Sequence, residues 1–431
     1  MMAQRMTHVR WFICALLFAI VSLNYVDRQV LSVLKPTLQK DYGWSEIGYG
    51  DIVFWFQAAY GLGYVTFGRI VDRLGAKLSC SIAVVIWTAA HLAHALVTST
   101  RAFSLVRIPL ALGESGLLPC TLAAATEWFP QRERTFAIGI FNAGSNIGAI
   151  LAPMIVPVVT LVWGWRMAFI STGLLTVVWL GIWLAVYRRP SQHPAVSPAE
   201  LALIESDPPA PPRQPVSWLK LLSTRQTWAY ISCRFLIDPV WWTFLFWLPD
   251  FFSKRYNIDL KDYGPPLVAV YMLADVGSVL GGWASSRAIR RGANIGRARK
   301  QAMFGCALAA LPVAFAMHVP SLWAVVVLIG LACAAHQGFV ANIYALPSDL
   351  FPRYVSGSVL GLGGLAGAIG GMLMSTYASN VLQTLGSYTP IFIFASLAYL
   401  MALLAVHLIV PHYAPVRNWD GEPPLALAPE T

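Results

Sequence analysis

Four ionisable side chains interrupt apolar stretches of this 431-residue sequence: Asp27 and Arg28 late in the run 11–33, Arg107 and Glu114 within the run 102–126. An ion in an apolar, water-poor setting is costly, so its presence points first to function. Arginine offers a planar fork of donors that grips a carboxylate through two bonds, which lysine cannot imitate. Two guanidinium groups in one cavity require anions. Asp27 and Glu114 can supply the charge at rest, and the carboxylate of a ligand can take over on binding. Glu114 comes nearly two helical turns after Arg107, so both face one side of a helix about 10 Å apart. That is too far for contact but near enough to couple in a poor dielectric. A carboxyl group that alternates there between charged and neutral forms is what a proton carrier needs. Glu114 is the first candidate and Asp27 the second. The competing reading is a structural ion-pair network tying two helices together, and for Asp27 pairing with arginine alone would suffice.

Neutral polar groups recur in other apolar runs. His336, Gln337 and Asn342 lie within 322–346, and Asn146 lies within 136–160. A hydroxyl-rich ligand needs such donors and acceptors, while a helix-interface role stays equally open. Asp275 is either a second proton site or a hydrogen-bonded structural acid. Arg234 and Asp238 stand one turn apart and read as a pair that satisfies itself. Trp241, Trp242 and Trp247 can stack on a sugar ring, or simply pack.

The elements that must position these residues follow from composition. Hydrophobic residues make up 57% of the chain and charged residues 12%, about half the charge of a soluble protein's roughly 25%. The solvent is therefore largely lipid. Twelve apolar runs are each close to the ~20 residues that span a bilayer core: 11–33, 48–70, 78–98, 102–126, 136–160, 166–187, 227–252, 265–288, 301–318, 322–346, 355–381 and 388–411. No alternating pattern of strand length appears, so the expected class is an all-α membrane protein with twelve transmembrane helices. Run 11–33 is too long for a cleaved signal and stays as the first helix. At ~1.5 Å per residue, Arg28 lies roughly 25 Å from the start of that helix and Arg107 roughly 9 Å from the start of the fourth. The two arginines therefore reach similar depth, in the outer half.

The net charge of +10 is explained by topology, with no nucleic-acid partner. With the N-terminus inside, about twenty Lys and Arg fall in cytoplasmic segments and about seven outside, which places both termini in the cytoplasm. Cys14, Cys80, Cys120, Cys233, Cys306 and Cys333 all sit in apolar runs without metal spacing, as small buried hydrophobes. No metal cluster, nucleophile elbow or phosphate loop is present, so neither an enzyme nor a cofactor is expected.

One long polar break, 188–226, is rich in proline, serine and charge and reads as an extended cytoplasmic linker. It separates a six-helix bundle over 1–187 from a second over 227–413, followed by a tail at 414–431. The halves repeat. E-W-F-P at 127–130 matches D-L-F-P at 349–352, and at the same offset Gly139, Ile147 and Gly148 fall on Gly361, Ile369 and Gly370. Glu114 falls on His336. Parallel six-helix repeats place a substrate site at their interface and work by rocking.

Gly68-Arg69-Ile70-Val71-Asp72-Arg73-Leu74-Gly75-Ala76-Lys77 joins the second and third runs. It resembles the signature loop of the major facilitator superfamily, and the resemblance implies that Gly68, Asp72, Arg73, Gly75 and Lys77 act as a conformational latch. Asn24-Tyr25-Val26-Asp27-Arg28, the segment R-I-P-L-A-L-G-E-S-G-L-L-P from Arg107, and F-N-A-G-S-N-I-G-A-I-L-A-P from Phe141 resemble the anion:cation symporter family. D-P-V-W-W from Asp238, L-A-D-V-G-S-V-L-G-G-W from Leu273 and A-H-Q-G-F-V-A-N from Ala335 resemble its hexuronate-transporter branch. Tyr25 and Tyr60 are similar to cavity tyrosines of that family that hydrogen-bond substrate. The resemblance implies a monomeric bacterial inner-membrane importer that moves a sugar acid such as galacturonate or glucuronate with protons. In that reading Arg28 and Arg107 hold the carboxylate, Glu114 and Asp27 carry protons, and the later helices read the hydroxyls. The alternatives are an aldonate, tartrate or aromatic acid on the same scaffold, and a membrane sensor that binds an anion without moving it.

Overall fold

The computed structural model describes residues 7–207, 217–351, 353–413 and 416. The linker prolines Pro208, Pro209, Pro211 and Pro212, and the tail apart from residue 416, lie outside the described residues. The long elements are helices: α1 (Val9–Tyr42), α2 (46–74), α3 (76–93), α4 (Thr100–Trp128), α5 (Gln131–Trp163), α6 (Trp165–Val186), α7 (Arg225–Tyr256), α8 (Gly264–Arg290), α9 (Ile295–His318), α10 (Leu322–Ile343), α11 (Arg353–Leu385) and α12 (Thr389–Ile409). Among the described residues, eleven helical stretches are long and apolar enough to cross a membrane. One of them, Glu46–Leu96, holds two crossings, because Gly75 breaks it with φ 74° and ψ 173°. A side chain is strained at that φ, so the turn between α2 and α3 requires glycine. Twelve crossings leave both described chain ends and the linker on one face, the linker face. The opposite side is the far face.

Small residues set the helix contacts. A Cβ on Gly148 of α5 would collide with the Ser22 carbonyl of α1, and one on Gly370 of α11 would collide with the Phe235 carbonyl of α7. The two glycines that the repeat aligns thus make the same kind of contact, one helix backbone against another, which bulkier residues would block.

The chain forms two compact units. The first comprises Met1–Pro211, Leu245–Tyr271 and Ser375–Thr384; the second comprises Pro212–Phe244, Met272–Met374 and Leu385–Thr431. The first unit thus holds α1–α6 together with the far-face ends of α7, α8 and α11. Lys35 of α1, fully buried, donates to Glu46 of α2 at 2.7 Å and pairs with Asp250 of α7 at 2.8 Å, and Lys254 pairs with both acids. Nearby, Tyr49 donates to the Phe246 carbonyl at 2.8 Å.

The linker is more ordered than its composition suggests. Its described parts hold two short α-helices, Pro198–Ile204 and Trp218–Leu222, and a 3-10 turn at Pro190–Gln192. The first is pinned to α1. Glu200, fully buried, accepts from the Val9 and Arg10 backbone N–H groups, the Thr7 hydroxyl and the Arg10 guanidinium. His8, at the N-cap of α1, gives no side-chain cap, so the linker supplies it. An extended segment would leave those helix N–H groups unmet.

Candidate anion and proton site

Adjacent residues on a helix point about 100° apart, and at Asp27 and Arg28 this separates two polar clusters. Arg28 faces α2 and α4. Its Nε donates to Glu114 Oε2 at 2.8 Å, and its Nη2 donates to Asn24 Oδ1 at 3.1 Å and to the Tyr60 hydroxyl at 3.2 Å. The guanidinium lies over the rings of Tyr25 (4.8 Å), Tyr60 (4.9 Å) and Phe56 (5.7 Å). Arg107 lies over the same Phe56 ring at 5.0 Å and donates from Nη2 to the Arg28 carbonyl at 3.2 Å. The two arginines are thus brought to one place. Phe56 offers its π face to both cations, a contact that favours charge away from water.

The charges in this cluster do not balance one to one. Glu114 pairs with Arg28, and among the described residues no carboxylate stands within ion-pair distance of Arg107. Arg107 Nε and Nη1, Asn24 Nδ2, both polar atoms of Gln57 and Glu114 Oε1 are buried without a hydrogen-bond partner among the described residues. An unmet buried polar group costs about 1–3 kcal/mol, more when charged. A carboxylate presented to either edge of Arg107 would meet one of its unpaired donors, and a neighbouring hydroxyl would satisfy Gln57 or Asn24. Gln57, mid-way along α2, escapes a reading that ranks charges first. Its signal is a lone amide in the run 48–70.

Asp27 points the other way, toward α3 and α6. Trp87 Nε1 and the Thr176 hydroxyl each donate to its Oδ2 at 3.2 Å, and His91 Nε2 stands 3.3 Å from its Oδ1. The resting counter-ion role expected for Asp27 therefore meets a different arrangement, in which Trp87, Thr176, Thr172 and His91 surround its carboxylate. The sequence reading missed His91. Asn146, on α5, is half-buried, with its Oδ1 3.5 Å from the Ser145 hydroxyl.

In the signature loop Asp72 and Arg73 are exposed. Lys77 donates to the Leu184 carbonyl near the end of α6 at 2.9 Å, a favourable place for a cation. Gly75 makes the turn, while a Cβ on Gly68 would meet open space.

The remaining candidates lie in the second unit. His336 meets the Tyr399 hydroxyl at 3.0 Å and stacks on Trp241 with ring centroids 5.2 Å apart. Asn342 donates to the Gly281 and Gly338 carbonyls at 3.1 and 2.9 Å, joining α8 to α10 where glycines bring their backbones together. Gln337 is half-buried. Arg234 and Asp238 form their own ion pair at 2.6 Å, with Tyr344 under the guanidinium. Asp275 Oδ1 is buried without a partner.

The family description "Major Facilitator Superfamily" matches residues 17–375. A hexuronate transporter of Escherichia coli (strain K12) is 28% identical over 434 residues, covering 99% of this chain and 98% of that protein. A galacturonate transporter of Dickeya chrysanthemi is 32% identical over 279 residues, covering 64% of this chain and 81% of that one. Among solved structures, a bacterial homologue of the human lysosomal transporter Spinster, inward-facing and unoccupied, superposes with a TM-score of 0.71 at 16% identity, covering 94% of this chain and 96% of that one.

Proposed function

The chain belongs to the major facilitator superfamily, and from that premise we propose that this multi-pass membrane transporter imports a sugar-acid anion, most closely a hexuronate, together with protons. The observation that carries the reading is the Arg28–Glu114 pair beside Arg107, whose Nε and Nη1 lack an acceptor among the described residues. The hexuronate and galacturonate transporters among its relatives support the class of anion.

At rest Glu114 neutralises Arg28. Protonation of Glu114 removes that counter-charge and frees one fork of Arg28 donors. The substrate carboxylate then spans Arg28 and Arg107, since two forks with unmet donors hold a carboxylate better than one. Tyr25, Tyr60, Asn24 and Gln57 meet the hydroxyls beside the carboxylate. Loss of the proton toward the cytoplasm restores the Arg28–Glu114 pair, which competes with the substrate and releases it. Binding of the anion and of the proton thereby favour one another. Asp27 is the second proton site. The linker face is cytoplasmic, as the Lys and Arg bias requires, the membrane is the bacterial inner membrane, and the transporter works as a monomer. In the second unit Gln337, His336 and Asn342 read hydroxyls only after giving up the contacts that now occupy the latter two, so their substitution should affect folding before selectivity.

The test is uptake into proteoliposomes of labelled galacturonate, glucuronate, galactonate and tartrate, with and without an inward proton gradient. Glu114→Gln mimics the protonated acid. It should still bind hexuronate and exchange it across the membrane, yet lose acid-driven accumulation. Accumulation that persists in Glu114→Gln removes Glu114 from coupling. Wild-type uptake indifferent to the gradient removes proton coupling altogether.

A further inference from the structure

Two histidines lie fully buried at the far-face end of α3, one turn apart, and the proposed cycle leaves them unused. His91 Nε2 is 2.8 Å from the Thr172 hydroxyl and 3.3 Å from Asp27 Oδ1. The Thr172 hydroxyl itself reaches the Ala168 carbonyl at 3.0 Å. Its proton goes to that carbonyl or to Asp27, which it also meets, and both are acceptors, so its oxygen accepts from His91, which carries its proton on Nε2. His91 Nδ1 is then a bare lone pair, and it is buried with no partner. His94 is fixed by the same logic. Its Nδ1 lies 2.7 Å from the Ala90 carbonyl, which can only accept, so its Nε2 is the lone pair, and that atom too is buried without a partner. The ring centroids are 6.2 Å apart. Tautomer assignment follows from partner chemistry, as it must where hydrogens are inferred.

We propose that His91 and His94 form a proton path from the far face to Asp27, separate from the arginine pair that meets the anion. The inference rests on the proton-coupled reading given above. His94 opens the turn that ends α3, and Leu96, two residues on, is exposed. A proton arriving at His94 Nε2 is matched by release of the Nδ1 proton, and that proton passes to His91 Nδ1. His91 then turns its Nε2–H from the Thr172 hydroxyl to Asp27 Oδ1, which lies 3.3 Å away, buried and without a hydrogen-bond partner among the described residues, and gives it that proton. One proton enters the chain, one reaches the carboxylate, and each histidine ends as the other neutral tautomer, to be reset by ring rotation. Rotation of a ring or one bridging water closes the gap between the imidazoles. The groups facing the path are named by element. Asp27 comes from α1. Arg107 of α4 acts electrostatically on both rings. Thr172 and Phe169 come from α6, with the His94 ring stacked on Phe169 at 5.2 Å and edge-on to Phe103 of α4 at 5.4 Å. Arg166 donates to the carbonyl of Ala95, beside His94.

The experiment uses the full chain in proteoliposomes with a trapped pH dye, and reads proton uptake triggered by galacturonate beside substrate counterflow without a pH gradient. His91→Gln keeps a side-chain amide beside Thr172 and Asp27. His94→Gln leaves every contact of Asp27 in place and guards against a folding failure at residue 91. Each variant should retain counterflow while substrate-triggered proton uptake slows on the order of 100-fold, the scale of a positioned proton-transfer group. Proton uptake at the wild-type rate in both variants overturns the path while leaving proton coupling intact. Counterflow and proton uptake falling together by the same factor in both variants also overturn it, since that is the mark of a merely structural role. A wild type that takes up galacturonate without protons overturns both this path and the coupling reading beneath it.

Discussion

Arg107 carries the sharpest consequence at the scale of single residues. Its charge meets the Phe56 ring and one backbone carbonyl, with Glu114 and Asp27 acting from further off, and two of its donors have no partner among the described residues. Arg107→Lys keeps the charge and removes the fork. The lost charge-assisted bond should weaken hexuronate binding by about 1.5–3 kcal/mol, roughly 10- to 100-fold in Kd. Calorimetry on purified protein checks this, and near-normal affinity would take Arg107 out of the carboxylate site. The juxtaposition of Arg28 with Arg107 was legible, because depth along a helix follows from counting residues. The direction of Asp27 was legible in principle, since neighbours on a helix diverge by about 100°. Its hydrogen bonds therefore run to α3 and α6, while its charge still acts on Arg107. His91 was not legible, because what it touches depends on α6, which approaches α3 only in the folded chain.

At the scale of elements, the linker helix Pro198–Ile204 gives a prediction with a defined pH sign. Burial works to raise the pKa of Glu200, but the hydrogen bonds from Thr7, Arg10 and Val9 outweigh it and hold the carboxyl below its ordinary value. A carboxylate depressed in the folded state stabilises above its unfolded pKa, about 4.3 for glutamate, and that contribution is lost as pH falls through the folded value. The linker should therefore stay docked at neutral pH and loosen only in acid below the ordinary glutamate range. Glu200→Ala should undock it at neutral pH, at a cost of about 1–3 kcal/mol. Hydrogen exchange over residues 197–207 reports both, and protection unchanged in Glu200→Ala would show that the caps contribute nothing. Proline and charge in 188–226 pointed to an extended connector. What they concealed is that α1 begins at His8 without a side-chain cap of its own. Asp207 does for α5 what Glu200 does for α1, accepting from the Gln131 N–H at 2.7 Å. Such debts at helix ends are visible in a sequence, but the segment that settles them is not.

For the whole molecule, transport by rocking demands that packing on one face come apart while the other closes. The far-face ends of α7, α8 and α11 pack within the first unit, around the buried ions Lys35 and Asp250 and around one close helix approach. At that approach a Cβ on Gly50 of α2 would collide with Ser379 of α11. Only glycine allows it, so a larger residue penalises the sealed arrangement and leaves an opened one untouched. Gly50→Val should therefore raise the share of molecules open at the far face. The reporter is a cysteine at Ser375, one turn from Ser379 and nearly fully buried. A membrane-impermeant maleimide added outside cells should label Ser375→Cys slowly in the otherwise native chain and much faster beside Gly50→Val. The same reagent should not reach a cysteine at Ser206, because the orientation proposed above puts the linker face inside. Labelling at Ser206 would reverse the orientation of the transporter. Equal labelling of Ser375→Cys with and without Gly50→Val would mean that this contact does not hold the far face shut. The seal would then rest on Lys35, Glu46, Asp250 and Lys254, where removal of one partner strands a buried charge.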